Sequence, residues 1–79
     1  MRIEVLLPQW GMGMSEGVIS MWLKKVGDRV VEDEALAEIS AEKVDEELPS
    51  PASGILVEIL AQVGETVEVR TAIAIIETE

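Results

Sequence analysis

The sequence has 79 residues, of which 16 are acidic and 6 basic, so its formal charge at neutral pH is −10. A chain of this length forms one domain with a thin core, which favours a binding or carrier module over a self-sufficient enzyme, and its charge disfavours nucleic-acid and membrane partners. Cysteine and histidine are absent, which excludes disulfides and thiolate metal sites and removes the commonest general base.

The first part of the chain predicts a strand followed by a long loop. Apolar residues alternate over residues 3–7, as in a half-buried strand, and residues 9–16 are rich in glycine. This loop carries three large apolar groups, Trp10, Met12 and Met14. Either one or two of them pack against the core, or they form an exposed and adaptable contact surface.

The rest of the chain also predicts strands. Apolar runs with many β-branched residues cover residues 18–23, 55–60 and 72–76, and turn residues separate them. Gly27 and Gly64 each lie in a Val-Gly-acid-x-Val turn, where glycine supplies a positive φ. No segment has the periodicity of a long helix, so the sequence predicts an all-β domain.

An internal repeat divides the sequence into two halves. The matching segments are residues 17–30 with 54–67, residues 35–39 with 72–76, and Leu7-Pro8 with Leu48-Pro49. The offset is 37 for the first two pairs and 41 for the third, which assigns four extra residues to the loop at 9–16. Two similar halves predict two small sheets related by a pseudo-two-fold axis. The matched apolar positions expected in the core are Trp22 with Ile59, Val30 with Val67, and Ile39 with Ile76.

The joint between the halves, residues 40–45, has as its counterpart in the repeat the place where the chain begins and ends. We therefore expect the joint and the termini at opposite poles of the domain. Lys43 lies in this joint beside Glu42 and the acidic residues 45–47. Acidic neighbours favour the charged form of a lysine, so Lys43 is poorly suited to act as a nucleophile. Lys43 is then either an ordinary solvated turn residue or an attachment site that a partner enzyme modifies with a group.

The chain resembles, over essentially its whole length, the lipoyl domains of the acyltransferase component of 2-oxo acid dehydrogenase complexes. The residues that carry this resemblance are Ile39-Ser40-Ala41-Glu42-Lys43-Val44, Leu48-Pro49-Ser50-Pro51-Ala52-Ser53-Gly54, Leu7-Pro8, Glu16-Gly17, Gly27-Asp28 and Gly64-Glu65-Thr66-Val67. The resemblance implies a barrel-sandwich hybrid, a flattened all-β barrel or sandwich of two four-stranded antiparallel sheets with pseudo-two-fold symmetry. It also implies that residues 1–79 are a single lipoyl domain, which we expect to be the N-terminal domain of a longer acyltransferase.

The resemblance implies that lipoic acid is attached to Lys43 as an amide. The domain would then pass acyl groups and electrons between enzymes without being an enzyme itself. Ala41, Glu42 and Val44 flank the lysine and are implied in its recognition, although lipoyl domains usually have aspartate in place of Glu42 and often threonine in place of Ala41. Biotinyl domains share the fold but carry methionine on both sides of the lysine. The alternatives are therefore a biotinyl carrier domain of a biotin-dependent carboxylase and an interaction module with an unmodified Lys43.

The implied partners are a thiamine-diphosphate-dependent 2-oxo acid dehydrogenase, the acyltransferase catalytic domain, dihydrolipoamide dehydrogenase, and a lipoate ligase or lipoyl transferase. Trp10, Met12, Met14 and Glu16 are implied in recognition by the 2-oxo acid dehydrogenase, and the first three of them favour a pyruvate or acetoin system. We expect a monomeric domain and no metal. We also expect it in the cytoplasm of a bacterium or archaeon, or in the mitochondrial matrix after removal of a transit peptide.

Overall fold

The computed structural model describes residues 1–41 and 44–78 and contains eight strands within them. The strands are β1 (Arg2–Leu6), β2 (Glu16–Trp22), β3 (Arg29–Val30), β4 (Ala35–Ala41), β5 (Val44–Pro49), β6 (Gly54–Ile59), β7 (Thr66–Glu68) and β8 (Ala72–Glu77). The described residues form no helix long and apolar enough to cross a membrane.

The strands form two four-stranded antiparallel sheets, which confirms the predicted all-β class. The terminal sheet has the order β1-β8-β6-β3, and the hairpin sheet has the order β5-β4-β2-β7. No ladder joins one sheet to the other among the described strands, so the form of the fold is a sandwich and not a closed barrel.

The core lies between the two sheets and is built from alternate residues of the strands. Its fully buried large side chains include Leu7, Ile19, Leu36, Ile39, Leu48, Leu56, Ile73 and Ile76. The predicted core positions Val30 and Val67 are also buried, whereas Trp22 and Ile59 are half-buried and pack against its edge. The Trp22 indole stays at this edge because its Nε1 donates a hydrogen bond to the Ala61 carbonyl oxygen, 2.8 Å away.

The predicted repeat is confirmed by hydrogen bonds that recur 37 residues apart. The N–H of Gly27 donates to the carbonyl oxygen of Leu56, and the N–H of Gly64 donates to that of Ile19, with distances of 2.7 and 2.8 Å. The two glycines have φ values of 99° and 92°, as their turns require. Each half therefore reaches across to the other in the same way, which is the pseudo-two-fold relation expected from the sequence.

The first strand of each half departs from the predicted alignment. Leu7 exchanges backbone hydrogen bonds with residues 70–71, and Ser50 exchanges them with residues 33–34. Ser50 is thus the counterpart of Leu7, at an offset of 43, and the predicted match of Leu7 with Leu48 is wrong. The loop before β2 is longer by six residues than its counterpart, and not by four. Strand register follows the backbone ladder, so a shared Leu-Pro pair does not identify equivalent positions.

The strand directions place the β4–β5 connection and the chain termini at opposite poles, as predicted. β4 runs toward its connection with β5, so the antiparallel β2 begins at that pole and the antiparallel β7 ends there. β8 follows β7 after a short turn and runs to the other pole, where Glu77 pairs with Arg2. The domain measures 36 × 20 × 18 Å.

One ion pair joins the turn before β4 to the turn after β2, and it gives a prediction about titration. Glu34 Oε2 lies 3.0 Å from Lys24 Nζ, and Glu34 Oε1 accepts a hydrogen bond from the Val31 N–H. The bond from Lys24, followed by that from Val31, holds the pKa of the Glu34 carboxyl below its ordinary value. A carboxyl with a lower pKa in the folded state stabilises the fold above its ordinary pKa. That contribution is lost as the pH falls through the folded-state pKa.

We expect Lys24→Met to raise the pKa of Glu34 toward the ordinary carboxyl value, because the variant removes the larger of the two hydrogen bonds. The measurement is an NMR titration of the Glu34 side-chain carbons. Lys25→Met removes an equal charge from the exposed neighbouring residue and serves as the control. The same shift in both variants would mean that net charge, and not the Lys24 contact, controls this carboxyl.

Candidate functional site

The β4–β5 hairpin lies at the pole opposite to the termini and contains the predicted attachment residue. Ala41, the last residue of β4, pairs with Val44, the first residue of β5. Glu42 and Lys43 connect these two paired residues and lie outside the described residues. The structure therefore gives the frame that holds the predicted site, and the roles of Glu42, Lys43 and the Val44 side chain stay predictions.

The base of the hairpin is held by a contact that the sequence did not reveal as functional. Ser40 Oγ donates a hydrogen bond to Asp45 Oδ1 across the two strands at 2.6 Å. A hydrogen bond to an ionised carboxylate is stronger than a neutral one, so it reinforces the register next to the connection. The sequence contains one indication of this contact, because the two polar residues lie at equal distances along the chain from the centre of the connection.

Ala41 belongs to the core and not to the surface of the hairpin. Its exposed fraction is 7%, and it is part of the buried apolar cluster. A small residue here lets the end of β4 lie against the core. The Ala41 side chain offers little surface for a ligase to touch, and its role in recognition stays a prediction.

The hairpin pole is rich in carboxylates. Glu16, at the start of β2, lies directly opposite Glu68, at the end of β7, and both side chains are exposed. Within residues 1–41 and 44–78, neither carboxylate has an ion-pair partner. Like charges at opposed cross-strand positions repel each other, so this end of the domain favours the approach of a cation.

The loop between β1 and β2 lies at the same pole, because β2 begins there. Met14 anchors this loop, since it is buried in the core and its carbonyl oxygen accepts a hydrogen bond from Gln9 Nε2 at 3.1 Å. Its Sδ accepts a hydrogen bond from the Trp10 N–H at 3.4 Å. Of the two alternatives for the large apolar residues of the loop, Met14 follows the core alternative and contributes little to any exposed contact surface.

The exposed part of the loop is smaller than the predicted set of four residues. Met12 is fully exposed, with a relative accessibility of 101%, whereas Trp10 is half-buried and packs against the core. Glu16 belongs to β2 and is exposed beside the loop. The surface available for a partner therefore consists of Met12, the free side of the Trp10 ring and Glu16, and recognition through these residues stays a prediction.

No group of three or more metal-binding side chains occurs within residues 1–41 and 44–78. Ser50 is the buried polar side chain among them, and its Oγ donates to the Ala52 carbonyl oxygen at 2.6 Å. The Ser50 hydroxyl is thus used within the turn between β5 and β6.

Comparisons with known proteins agree over nearly the whole chain. Residues 3–76 match the Biotin_lipoyl family model, described as "Biotin-requiring enzyme". The chain is 49% identical over 76 residues to the dihydrolipoyllysine-residue acetyltransferase component of the pyruvate dehydrogenase complex of Corynebacterium glutamicum, with 96% of this chain and 11% of that protein covered. It is 42% identical over 76 residues to the corresponding component of the acetoin cleaving system of Bacillus subtilis, with 96% and 19% covered.

A solved structure gives the same result for the fold. The solution structure of the lipoyl domain of the 2-oxoglutarate dehydrogenase complex from Azotobacter vinelandii matches with a TM-score of 0.77 and 28% identity, and 96% of each chain is covered. The chain spans only 11% and 19% of the lengths of the two acyltransferase relatives.

Proposed function

This chain belongs to the biotin/lipoyl domain family and is a carrier domain of the lipoyl type, and we propose that Lys43 is the residue to which its lipoyl group is attached. The observation that carries the proposal is the position of Lys43 between the paired ends of β4 and β5, at the pole opposite to the termini. The names of the acyltransferase relatives refer to a dihydrolipoyl-lysine residue, and a lysine amine is the group that forms an amide with a carboxylic acid.

The residues around the connection suit a group that is attached by another enzyme. Carboxylates in this segment favour the charged form of a lysine, so the ligase has to remove the proton from the Lys43 amine before the amide bond forms. The Ser40–Asp45 hydrogen bond and the buried Ala41 keep the strand ends in place during this encounter. When it is attached, the lipoyl group supplies a disulfide that accepts acyl groups and electrons at the end of a long arm.

We propose that the chain works within a longer acyltransferase of a 2-oxo acid dehydrogenase complex. In that setting the domain carries its arm between a thiamine-diphosphate-dependent dehydrogenase, the acyltransferase catalytic domain and dihydrolipoamide dehydrogenase. Tethering makes each encounter intramolecular and so raises the effective concentration of the arm at every site. We propose a pyruvate or acetoin system, for which the name of the pyruvate relative at 49% identity is the main support; a relative from a 2-oxoglutarate system, at 45%, has a higher identity than the acetoin relative at 42%. We propose that the isolated domain is a monomer. We also propose that the protein resides in the cytoplasm or the mitochondrial matrix.

The test is the intact mass of the purified domain after incubation with lipoate ligase, ATP and lipoic acid. We expect one lipoyl group on the wild type, none on Lys43→Arg, and one on Lys25→Arg, which changes an exposed lysine elsewhere. A parallel incubation with biotin ligase and biotin distinguishes the two cargoes of the family. The proposal is wrong if a known lipoyl domain gains the mass and this one does not, and modification by biotin alone would make it a biotinyl carrier.

A further inference from the structure

A shallow groove of about 300 Å³ lies beside β7, the edge strand of the hairpin sheet. Its lining includes Ala61, which is 6% exposed and whose carbonyl oxygen is held by the Trp22 indole. It also includes Glu68 and Thr71, the two ends of a turn in which the Thr71 N–H donates to the Glu68 carbonyl oxygen at 3.2 Å. The volume is at the low end of the roughly 300–1,000 Å³ of small-molecule pockets, which suits a single long side chain.

The equivalent place in the first half of the domain is occupied by a lysine side chain. Lys24 stands 37 residues before Ala61, its side chain is 25% exposed, and its Nζ lies 3.0 Å from Glu34 Oε2. The backbone is the same in both halves, because the Glu34 N–H donates to the Val31 carbonyl oxygen at 2.9 Å in the equivalent turn. The fold thus accommodates an alkyl stem with a terminal ammonium at this place, and the second half has alanine there instead.

The second half keeps a carboxylate in this turn, although at the other end. Glu68 replaces Val31, and Thr71 replaces Glu34. The Glu68 carboxylate is exposed opposite Glu16, and no cation pairs with it in the described part of the chain. The groove therefore combines room for a lysine stem with an acidic group that no cation of the described residues neutralises.

We propose that this groove receives a lysine side chain of a protein partner, with the ammonium beside Glu68 and the stem along Ala61. The occupant is deduced from Lys24, which fills the same place in the other half, and from the charge of −10, which attracts basic surfaces. β7 ends at the hairpin pole, so the partner binds at the end of the domain that contains Lys43. The proposal holds whether or not Lys43 carries a lipoyl group.

The first test is a titration of the ¹⁵N-labelled domain with N-acetyl-lysine amide, followed by the amide signals of Ala61 and Thr71 and the indole signal of Trp22. We expect these signals to shift together. N-acetyl-norleucine amide, which lacks the ammonium, should leave them unchanged.

Glu68→Gln should weaken the binding about two- to fivefold, the factor expected for an exposed ion pair. Glu32→Gln, which removes the same charge from an exposed turn at the other pole, should not weaken it. Equal shifts with the two ligands, equal affinity in both variants, or no shifts at all would overturn the proposal.

The second test places the lysine in the groove covalently. We expect the thermal unfolding midpoint of Ala61→Lys to exceed that of Ala61→Met, a side chain of similar length without charge, and Glu68→Gln to abolish this difference. A double-mutant cycle isolates the coupling between the two positions. If the midpoints of Ala61→Lys and Ala61→Met are equal with and without Glu68→Gln, the groove does not recognise the ammonium. Should Ala61→Lys not fold, the ligand titration on the wild type decides the question.

Discussion

Gly54→Ala is expected to destabilise the domain by about 3 kcal/mol or more, the upper part of the range for overpacked cores. Gly54 begins β6, and a Cβ added there would overlap the Glu77 carbonyl oxygen and lie 2.9 Å from its carbon. These atoms belong to the backbone of β8, which pairs with β1 on one side and with β6 on the other. β8 cannot give way without losing ladder hydrogen bonds, so a single methyl group forces β6 and β8 apart at this end of their ladder.

The pseudo-symmetry supplies the matched control. Gly17 is the counterpart of Gly54, and a Cβ there would meet Cγ2 of the buried Ile39 at 2.8 Å, a side-chain methyl that can shift without breaking ladder hydrogen bonds. We expect Gly17→Ala to cost about 1–2 kcal/mol and Gly11→Ala, which has open space around it, to be close to neutral. Urea unfolding followed by tryptophan fluorescence measures all three variants. If Gly54→Ala costs no more than Gly17→Ala, then β8 does shift and the close approach is not a constraint.

The lipoylated domain is expected to be reductively acylated about 100-fold faster by its matching thiamine-diphosphate-dependent dehydrogenase than free lipoamide at the same concentration. The reacting disulfide is the same in both substrates, so the factor measures contacts with the protein surface around it. Binding energy from remote parts of a substrate lowers the barrier at the reacting centre, and 100-fold corresponds to roughly 3 kcal/mol. This prediction rests on attachment at Lys43, and Lys43→Arg should react at the background rate.

The assay compares dehydrogenases specific for pyruvate, acetoin, 2-oxoglutarate and branched-chain 2-oxo acids, with the domain as sole acceptor. We expect the large factor with the pyruvate or acetoin enzyme. Met12→Ala should reduce it, because Met12 is the fully exposed side chain of the loop at the hairpin pole. Rates equal to those of free lipoamide with every enzyme in the panel would refute recognition by the surface of the domain.

Much of the fold could be predicted from the sequence because strand faces and turns depend on residues that are close together along the chain. Alternating apolar residues fix the faces of the strands, and Gly27 and Gly64 mark turns that need a positive φ. The repeat then assigned counterparts correctly wherever both halves keep the same length. It failed at the first strand of each half, where Ser50 and not Leu48 corresponds to Leu7, because hydrogen-bond pairing between distant strands leaves no trace in residue type.

The candidate site was predictable only in part, for related reasons. The position of the hairpin follows from the repeat. Its interpretation as the place of lipoyl attachment follows from the residues around Lys43 and stays a prediction. Composition could not decide whether Met12 or Met14 enters the core, because both are apolar and two residues apart. The groove at Ala61 had one trace in the sequence, the alanine that stands where the first half has Lys24. That this exchange leaves an open groove beside Glu68 becomes visible only when the two halves are compared in space.

The meeting of the two chain ends at one pole determines how far the opposite pole can travel. The Thr78 N–H donates to the Met1 carbonyl oxygen at 2.8 Å, so any polypeptide joined to either end starts from nearly the same point. The whole domain can then rotate about this one attachment point. Such rotation does not twist the polypeptides joined to its two ends around each other. With a largest dimension of 36 Å, the rigid body alone carries the hairpin over a sphere of at most about that radius before any linker or prosthetic arm extends it.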